Sequence, residues 1–357
     1  MAEEKLSGAI VGCGRMGLRH ADAMRDSGEF EMVAACDVDL EKARAISPNA
    51  FGDVQEMMSA ARPDVVCIAT AGVTHAELTV RVAAARPQRT VRPRGICCEK
   101  PMAVDLGEAR RMVDACRENN VALIVNHQRR LSAPLRAMRR LIEEGAVGDV
   151  YLIRASCPGD VLGDGTHAVD SVRWLAGDAD VRWVLGQVYR DGPDESQPRS
   201  MTTKPSGGYR YGYPIETGAV GVFEFTSGVR AELYCGAVRL PGRAYQDYEV
   251  FGTKGRLWRA GDSAEPPLVI QDGADGGWRP VNVGAAGGQF DPMVESYRLL
   301  ARTIREFAPH PLSGDSALKG HEVLMAIHES ARTNARIELP LKQGEFPLQL
   351  MIDAGQV

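Results

Sequence analysis

The hexapeptide Gly12-Cys13-Gly14-Arg15-Met16-Gly17 decides the fold of the first third of this chain. It follows the apolar run Ala9–Val11, which predicts a buried strand, and it opens the amphipathic stretch Arg15–Arg25, which predicts a helix. A strand, a glycine-rich turn of this spacing and a helix are together typical of the turn that holds the pyrophosphate of a dinucleotide. We therefore expect all six residues of the turn to contact such a cofactor.

Each glycine of this turn has a physical reason. Gly12 permits the tight turn, Gly14 lets a pyrophosphate approach the backbone, and Gly17 lets the helix pack close to the strand. The amino end of the helix favours the phosphate charge. A structural glycine turn that holds no cofactor is the alternative.

Asp37 bears on the choice between two nicotinamide cofactors. It stands at the end of the second apolar run, Met32–Cys36. From this position a carboxylate can accept hydrogen bonds from ribose hydroxyls and repels a 2′-phosphate. We therefore expect NAD as the cofactor, in preference to NADP.

The rhythm of the sequence predicts two domains. Up to about residue 128, continuous apolar runs alternate with amphipathic stretches, which indicates an α/β fold with a doubly wound parallel sheet covered on both faces. Beyond it, tight turns such as Ser227-Gly228 predict hairpins. We expect an NAD-binding domain over residues 1–127 and a second, substrate-binding domain over residues 128–357. The second domain is expected to be α/β, with a large, mostly antiparallel sheet packed against helices.

The later part of the chain contains a predicted loop and two predicted helices. The stretch Asp191–Tyr213 is rich in Pro, Gly and Ser, and predicts an exposed loop that helps to build the substrate pocket. Helices are predicted over Pro292–Phe307 and Ala317–Ala335, followed by a strand over Ile337–Leu341. These final helices could pack back on the first domain. Four tyrosines are compatible with stacking on a sugar or with ordinary packing: Tyr209, Tyr211, Tyr213 and Tyr245.

Composition excludes several classes of protein. The net charge of −5 and the scattered basic residues predict no nucleic-acid partner, and no apolar window is long enough to cross a bilayer. The N-terminus is acidic and polar, unlike a signal peptide. The eight cysteines lack CxxC spacing, which predicts reduced thiols in a cytoplasmic protein. The seven histidines form no HExxH motif, so we expect no metal.

Lys100 is the strongest catalytic candidate because of its position. It lies in Glu99-Lys100-Pro101, at the end of the apolar run Gly95–Cys98. Ligands of an open parallel sheet bind at the carboxyl ends of its strands, so this lysine should point at whatever the glycine turn holds. A surface ion pair with Glu99 is the alternative, although neighbouring strand residues face opposite sides.

A second segment reaches the same edge of the predicted sheet. Thr70-Ala71-Gly72-Val73-Thr74-His75 follows the predicted strand Val65–Ala69. Thr70 and His75 are therefore candidates to line the nicotinamide half of the cofactor. Taken alone, a histidine at this position is more often a helix-start residue than a ligand contact.

These motifs together resemble one enzyme superfamily. The glycine turn, Asp37, Glu99-Lys100-Pro101 and the later Gly165-Thr166-His167-Ala168-Val169-Asp170 are similar, in order, to those of the oxidoreductases related to glucose–fructose oxidoreductase, inositol dehydrogenase and the rhizopine-catabolism protein (Gfo/Idh/MocA). The resemblance covers essentially the whole chain. It implies a Rossmann domain, and a second domain whose open sheet usually forms the dimer or tetramer interface. It also implies NAD(P)-dependent oxidation or reduction at a hydroxyl or carbonyl carbon of a sugar or cyclitol.

The resemblance assigns roles to individual residues. Lys100 matches the catalytic lysine of the family and His167 its catalytic histidine. Glu99 shapes the strand end beside the cofactor. Gln128 lies in a segment near the cofactor, and Tyr297 matches a helix position that often reaches the nicotinamide.

One departure from the family pattern concerns a carboxylate. Many members carry an aspartate four residues before the catalytic histidine, where this chain has Gly163. Asp164 is one step nearer and could either replace that carboxylate or cap the helix near Thr166. Asp160 is a further candidate for the missing carboxylate. Asp170, one turn past the histidine, is expected to stabilise the start of the helix electrostatically.

The mechanism that this assignment implies follows from charge. Oxidation of a secondary alcohol sends a hydride to the nicotinamide and requires the hydroxyl proton to leave. The positive charge of the oxidised nicotinamide favours a neutral amine at Lys100, which suits general acid–base work. His167 would hydrogen-bond the same oxygen.

Three functions remain open at this point. The first is an NAD-dependent sugar, cyclitol or glycoside dehydrogenase that works as a homodimer or homotetramer. The second is a glycosidase or C-glycoside-processing enzyme that oxidises the sugar C3 position transiently and recycles NAD in place. The third is a non-catalytic NAD-binding regulator, against which the presence of both Lys100 and His167 argues.

Overall fold

The computed structural model describes residues 4–85, 93–190, 208–240, 245–273, 276–283 and 291–357. The chain divides into two compact units. The first consists of Met1–Gln128 and Phe290–Leu318, and the second of Arg129–Gln289 and Lys319–Val357. Of the helices in the described residues, none combines the length and the apolar character needed to cross a membrane.

The first unit is a parallel α/β sheet. Its strands are β1 (Leu6–Val11), β2 (Phe30–Cys36), β3 (Ala50–Phe51), β4 (Val65–Ile68), β5 (Gly95–Cys98) and β6 (Ala122–Val125). Its helices are α1 (Arg15–Asp26), α2 (Leu40–Arg44), α3 (Val54–Ala61), α4 (His75–Ala83), α5 (Leu106–Glu118) and, from the later segment, α8 (Pro292–Glu306). All six strands pair in parallel in the order β3-β2-β1-β4-β5-β6. This topology confirms the predicted doubly wound sheet.

Local sequence explains where these helices begin. Asp53 accepts hydrogen bonds from the backbone N–H groups of Gln55 and Glu56 and so caps α3. Asp105 caps α5 through the N–H of Glu108 in the same way. Helix α1 differs, because it begins after Gly14 with no side-chain cap and no acidic residue in its first turn. Its amino end therefore stays available to an anion.

The second unit is built on a nine-stranded mixed sheet. The strands of this unit are β7 (Val150–Cys157), β8 (Val181–Tyr189), β9 (Tyr209–Arg210), β10 (Tyr213–Pro214), β11 (Gly218–Phe225), β12 (Arg230–Gly236), β13 (Asp247–Gly252), β14 (Gly255–Arg259), β15 (Val269–Asp272), β16 (Trp278–Pro280) and β17 (Ile337–Glu338). The remaining helices are α6 (Ala133–Glu143), α7 (Thr166–Leu175), α9 (Gly314–Thr333), which crosses the boundary between the units, and α10 (Pro347–Asp353).

The order of the large sheet is β16-β15-β14-β13-β7-β12-β11-β8-β17. Among its described pairs only β7 and β12 run parallel, which confirms a mostly antiparallel sheet. Burial alternates along β8, where Val184 and Val188 are buried while Leu185 and Tyr189 are about half exposed. One face of this strand therefore packs inward and the other stays open.

Several details differ from the sequence-based expectation, which did not include strands β8, β15 and β16. Strand β17 ends at Glu338, before Pro340, because proline has no N–H to continue the ladder. Helix α10 follows it and was not predicted. Of the expected loop, residues 191–207 lie outside the described residues. The rest is a two-strand hairpin of β9 and β10 in which Tyr213 is buried, because its ring packs inside the unit.

Candidate active site

The glycine turn has the geometry of a phosphate-binding turn. Gly12 has a φ of +88°, and a Cβ there would lie 2.7 Å from the backbone of Ala69 and Thr70. A Cβ at Gly17 would clash with the carbonyl oxygen of Gly12. At Gly14, by contrast, a Cβ would meet no atom within 4 Å. Two glycines are thus required by packing, while the third leaves open space at the uncapped helix start, which fits a dinucleotide phosphate.

The side chains of the turn lie in different surroundings. Cys13 is buried, and burial raises the pKa of its thiol to about 12, so it is inert there. Its contribution is its backbone N–H, which donates to Asp37. Arg15 is exposed and Met16 is partly exposed at the start of α1.

Asp37 ties the end of β2 to the glycine turn. Its Oδ2 accepts the N–H of Cys13 at 2.7 Å, and its Oδ1 accepts the N–H of Asp39 at 2.9 Å. The side chain is only partly buried, so both oxygens keep lone pairs for further donors. The ribose contact of Asp37 was predicted from the sequence, whereas its hydrogen bond to the backbone of the glycine turn was not.

His75 connects two strand ends. Its Nδ1 lies 2.8 Å from the carbonyl oxygen of Pro101 and its Nε2 lies 3.2 Å from that of Thr70. The ring is 1% exposed, and burial lowers its pKa. His75 therefore braces the segments that carry Thr70 and Lys100, and in this structure its ring has almost no surface to offer a ligand.

Glu99 is a buried carboxylate and not a surface ion pair. Its Oε1 accepts hydrogen bonds from His20 Nε2 at 2.8 Å and Asn126 Nδ2 at 2.6 Å. Its Oε2 accepts the backbone N–H of Lys100 at 3.1 Å. Burial opposes the charged form, but the hydrogen bond and charge of His20, with Lys100 and Asn126, lower the pKa of Glu99 to about 2. An ionised carboxylate thus anchors the backbone of Lys100, whose own side chain is partly exposed.

Tyr297 and Gln128 have contrasting positions. Tyr297 on α8 is 0% exposed, and its hydroxyl lies 2.8 Å from His20 Nδ1. The side chain packs in the interior beside His20, and its contact with the nicotinamide stays a prediction. Gln128 is partly exposed, and its Oε1 is buried without a hydrogen-bond partner in the structure, so it retains an acceptor for a ligand.

In the second unit, a π-helical turn over Val161–Gly165 leads into α7, and His167 lies in the first turn of that helix. Asp160 caps the turn by accepting the N–H of Gly163 at 2.5 Å. Asp164 does not cap α7, whose N-cap is Gly165 without a side-chain bond. The Asp164 carboxylate instead accepts the Tyr245 hydroxyl at 3.0 Å and faces Arg210 Nη1 at 3.4 Å.

The structure gives a reason for the glycine at position 163. A Cβ there would lie 2.5 Å from both Arg210 Nη1 and Asp160 Oδ2, which are themselves paired at 2.8 Å. An ion pair thus fills the space that an aspartate side chain would need. Burial and the neighbouring Glu216 raise the pKa of Asp160, while Arg210 counteracts them.

Asp170 has a structural role different from the one expected. It lies beyond the first turn of α7, and its carboxylate accepts Arg130 Nε at 2.6 Å. Arg130 also reaches Asp178 at 3.0 Å, and both Arg130 and Asp170 are buried. The ion pair therefore holds α7 to the start of the unit, where the sequence suggested a helix-dipole contact.

Comparison with known proteins identifies the family. Residues 6–127 match the model of an oxidoreductase family with an NAD-binding Rossmann fold, and residues 135–258 match the GFO/IDH/MocA C-terminal domain. The chain belongs to the Gfo/Idh/MocA family of oxidoreductases. The resemblance drawn from its motifs is thereby confirmed.

Two curated proteins match this Gfo/Idh/MocA chain over nearly its whole length. D-apiose dehydrogenase of Paraburkholderia graminis is 27% identical, over 99% of this chain and 95% of that relative. D-glucoside 3-dehydrogenase of Escherichia coli is 25% identical, over 95% of this chain and 99% of that relative. Among solved structures, the WlbA dehydrogenase of Bordetella pertussis in complex with NADH and UDP-GlcNAcA has a TM-score of 0.75 at 23% identity, covering 95% of this chain and 100% of that one, which shows a shared fold.

Several site residues of this Gfo/Idh/MocA chain were missed by sequence reasoning. His20 left a signal, since it falls on the buried face of α1 with Gly17, Ala21 and Met24. A polar residue on an apolar helix face calls for a buried partner. Arg210 left no such signal, because it follows a stretch without periodicity.

Proposed function

We propose that this Gfo/Idh/MocA member is an NAD-dependent dehydrogenase that transfers a hydride between a secondary hydroxyl or carbonyl of a sugar, cyclitol or glycoside and the nicotinamide. The observation that carries the proposal is the strand end at Lys100. Its backbone is fixed by an ionised, buried carboxylate, and its side chain is partly exposed at the carboxyl edge of a sheet whose glycine turn is open to a phosphate. A backbone held in place beneath a partly exposed lysine suits acid–base work on a bound substrate.

The choice of NAD over NADP rests on Asp37. Its carboxylate has free lone pairs beside the glycine turn, and a 2′-phosphate would bring a second negative charge against it. Gln128 Oε1, a buried acceptor after β6 without a partner in the structure, is a candidate contact for either cofactor and does not bear on this choice.

Oxidation of the substrate hydroxyl requires an acceptor for a hydride and an acceptor for a proton. NAD, when bound, supplies the two-electron hydride acceptor. Lys100 accepts the proton of the substrate hydroxyl at Nζ while the carbon loses its hydride, which leaves a carbonyl and releases one proton to solvent after turnover. His167 donates or accepts a hydrogen bond at the same oxygen and so polarises it in either direction of the reaction.

Asp164 is proposed to replace the carboxylate that is missing at Gly163. Tyr245 and Arg210 hold its carboxylate from two sides, and most of the side chain is buried. A carboxylate fixed in this way can accept a further hydroxyl of a polyol and orient it. Parallel Asp164→Asn and Asp160→Asn variants test this role, since only loss of the former should raise KM for substrate if Asp164 is the substitute.

Lys100→Ala tests the catalytic assignment. A panel of sugars, cyclitols and glycosides with NAD, followed at the nicotinamide absorbance, first identifies an active substrate. We expect Lys100→Ala to abolish turnover while NAD affinity, measured by calorimetry, stays nearly intact. Turnover that survives the substitution contradicts the catalytic role of Lys100. If the unmodified protein binds NAD but turns over no substrate of the panel, a non-catalytic, NAD-binding role is favoured instead.

A second candidate is transient oxidation of a glycoside at C3. The similarity to D-glucoside 3-dehydrogenase over nearly the whole chain favours oxidation at that carbon. Net formation of NADH from a glucoside supports the dehydrogenase. Release of free sugar without NADH in bulk supports a glycosidase or C-glycoside-processing enzyme that recycles the cofactor.

We further propose a cytoplasmic homodimer or homotetramer. All eight cysteines are free and buried, which suits a reducing compartment. The open face of β8 presents Leu185 and Tyr189, about half exposed and beside Val222 of β11. Leu185→Glu should lower the mass measured by light scattering, while Phe307→Glu, at an exposed apolar residue of the first unit, should leave it unchanged.

A further inference from the structure

Behind Glu99 lies a buried chain of polar groups that the proposed chemistry does not use. Its members come from four elements: Tyr297 from α8, His20 from α1, Glu99 from the end of β5 and Asn126 from the end of β6. We propose that His20 and Tyr297 are positioning residues, and that the proton on His20 sets the pH range in which Lys100 works. This inference rests on the proposed catalytic role of Lys100.

The hydrogen-bond partners of His20 require a proton on Nε2 but allow Nδ1 to be protonated or unprotonated. Ionised Glu99 can only accept, so His20 Nε2 must carry a hydrogen. His20 Nδ1 faces the Tyr297 hydroxyl at 2.8 Å, and a hydroxyl can either donate or accept. His20 can therefore be neutral or charged without leaving a buried group unpaired.

His310, in the same unit, is a histidine whose hydrogen-bond partners permit only one protonation state. Its Nδ1 accepts the N–H of Leu312 at 2.9 Å, and its Nε2 faces the carbonyl oxygen of Ser296 at 3.1 Å. This arrangement suits only the neutral ring, and burial lowers the pKa of His310 to about 4. For His20, burial also disfavours the charged ring, but the hydrogen bond and charge of Glu99 outweigh it and raise the pKa.

The charge of His20 reaches Lys100 through Glu99. The carboxylate bonds both to His20 and to the backbone N–H of Lys100, so it lies between them. When His20 is charged, the pair with Glu99 is neutral overall. When His20 is neutral, an uncompensated negative charge stands beside Lys100 and favours its ammonium form. A charged His20 thus extends the action of Lys100 as a base to lower pH.

Other titratable groups face the same chain. The charge of Arg19 on α1 lowers the pKa of His20, and the charge of Glu99 raises that of His75 on α4, which burial lowers. Cys67 of β4 and Cys97 of β5 are cross-strand neighbours, and their sulfur atoms lie within 4.8 Å of a His20 nitrogen. All of these groups remain in a His20 variant, and Cys97→Ala tests whether a thiol is the group that titrates.

The activity experiment compares pH profiles of kcat/KM for NADH formation with the most active substrate of the panel. His20→Gln keeps a hydrogen-bond donor for Glu99 but cannot carry a positive charge. The rising limb of its pH profile should therefore move to higher pH by about one pH unit. Tyr297→Phe removes the acceptor for a second proton on His20, so its limb should move in the same direction by less. His310→Gln is the matched control and should leave the limb in place.

A second readout is independent of turnover. In protein with 15N-labelled histidine, a pH titration of the ring nitrogen shifts should show a pKa of His20 that is raised above the ordinary histidine value, and Glu99→Gln should lower it. Uniformly lower kcat/KM with an unmoved limb in His20→Gln would overturn the inference, as would an equal displacement in Cys97→Ala. If Lys100→Ala is inactive and only the His20 profile is unmoved, the proposed function stands and this inference alone fails.

Discussion

Arg210 Nη1 lies 2.8 Å from the Asp160 carboxylate, and this ion pair stands where any side chain at position 163 would have to be. The pair and the glycine are thus one feature of the fold.

Restoring the family aspartate should destabilise the protein. Gly163→Asp forces a Cβ to within 2.5 Å of Arg210 and Asp160, an overpacking that costs about 1–3 kcal/mol. Thermal unfolding should show a lower Tm, and Arg210→Ala in the same chain should recover part of it. Gly277→Asp is the control, since a Cβ there meets no atom within 4 Å. An unchanged Tm for Gly163→Asp alone would contradict the account.

Mutations in the glycine turn should separate its role in packing, at Gly17, from its role in cofactor binding, at Gly14. Gly17→Ala drives a Cβ into the Gly12 carbonyl oxygen and should lower Tm. Gly14→Ala meets open space, so Tm should hold while the methyl group obstructs a phosphate and NAD affinity falls. Calorimetric titration with NAD and thermal unfolding give the two quantities. A Gly14→Ala protein with full NAD affinity would argue against this turn as the phosphate site.

Loss of Asp37 should narrow the preference for NAD over NADP. Hydrogen bonds to charged groups contribute about 1.5–3 kcal/mol, so Asp37→Ala should lower the affinity for NAD by about tenfold or more. The affinity for NADP should fall less, because the charge repulsion of its 2′-phosphate is removed. Asp53→Ala, which removes a helix cap elsewhere in the unit, is the control. The Kd values of the reduced cofactors NADH and NADPH can be measured by nicotinamide fluorescence. A ratio of these two Kd values that stays constant in Asp37→Ala would refute the ribose contact.

Glu99 should make stability depend on pH in the acid range. Its pKa is lowered to about 2, so its contribution is fully present above the ordinary value near 4.5 and is lost as pH falls towards 2. The loss amounts to a few kcal/mol, because one pKa unit corresponds to about 1.4 kcal/mol. Urea unfolding at pH 5 and pH 3 should show a smaller difference for Glu99→Gln than for the unmodified protein. Equal differences in the two proteins would mean that folding does not lower the pKa of Glu99.

Much of the first unit was readable from sequence because its signals are local. A glycine turn between an apolar run and an amphipathic helix predicted β1 and α1, and the observed strand order agrees with it. Gly95–Cys98 was predicted with the bounds that the structure has. In the second unit, β8 and α10 were missed, since neither is marked by a tight turn or a cap that sequence reasoning used.

The sequence by itself determined the fold class, the cofactor turn and the strand end that carries Lys100, because each depends on residues close together in the chain. Only the tertiary structure decided what holds these groups. His20 meets Glu99 across 79 positions and Tyr297 across 277, and Arg210 meets Asp160 across 50. Such pairs leave no periodic trace, since they depend on which side chains the packed core brings within hydrogen-bond distance.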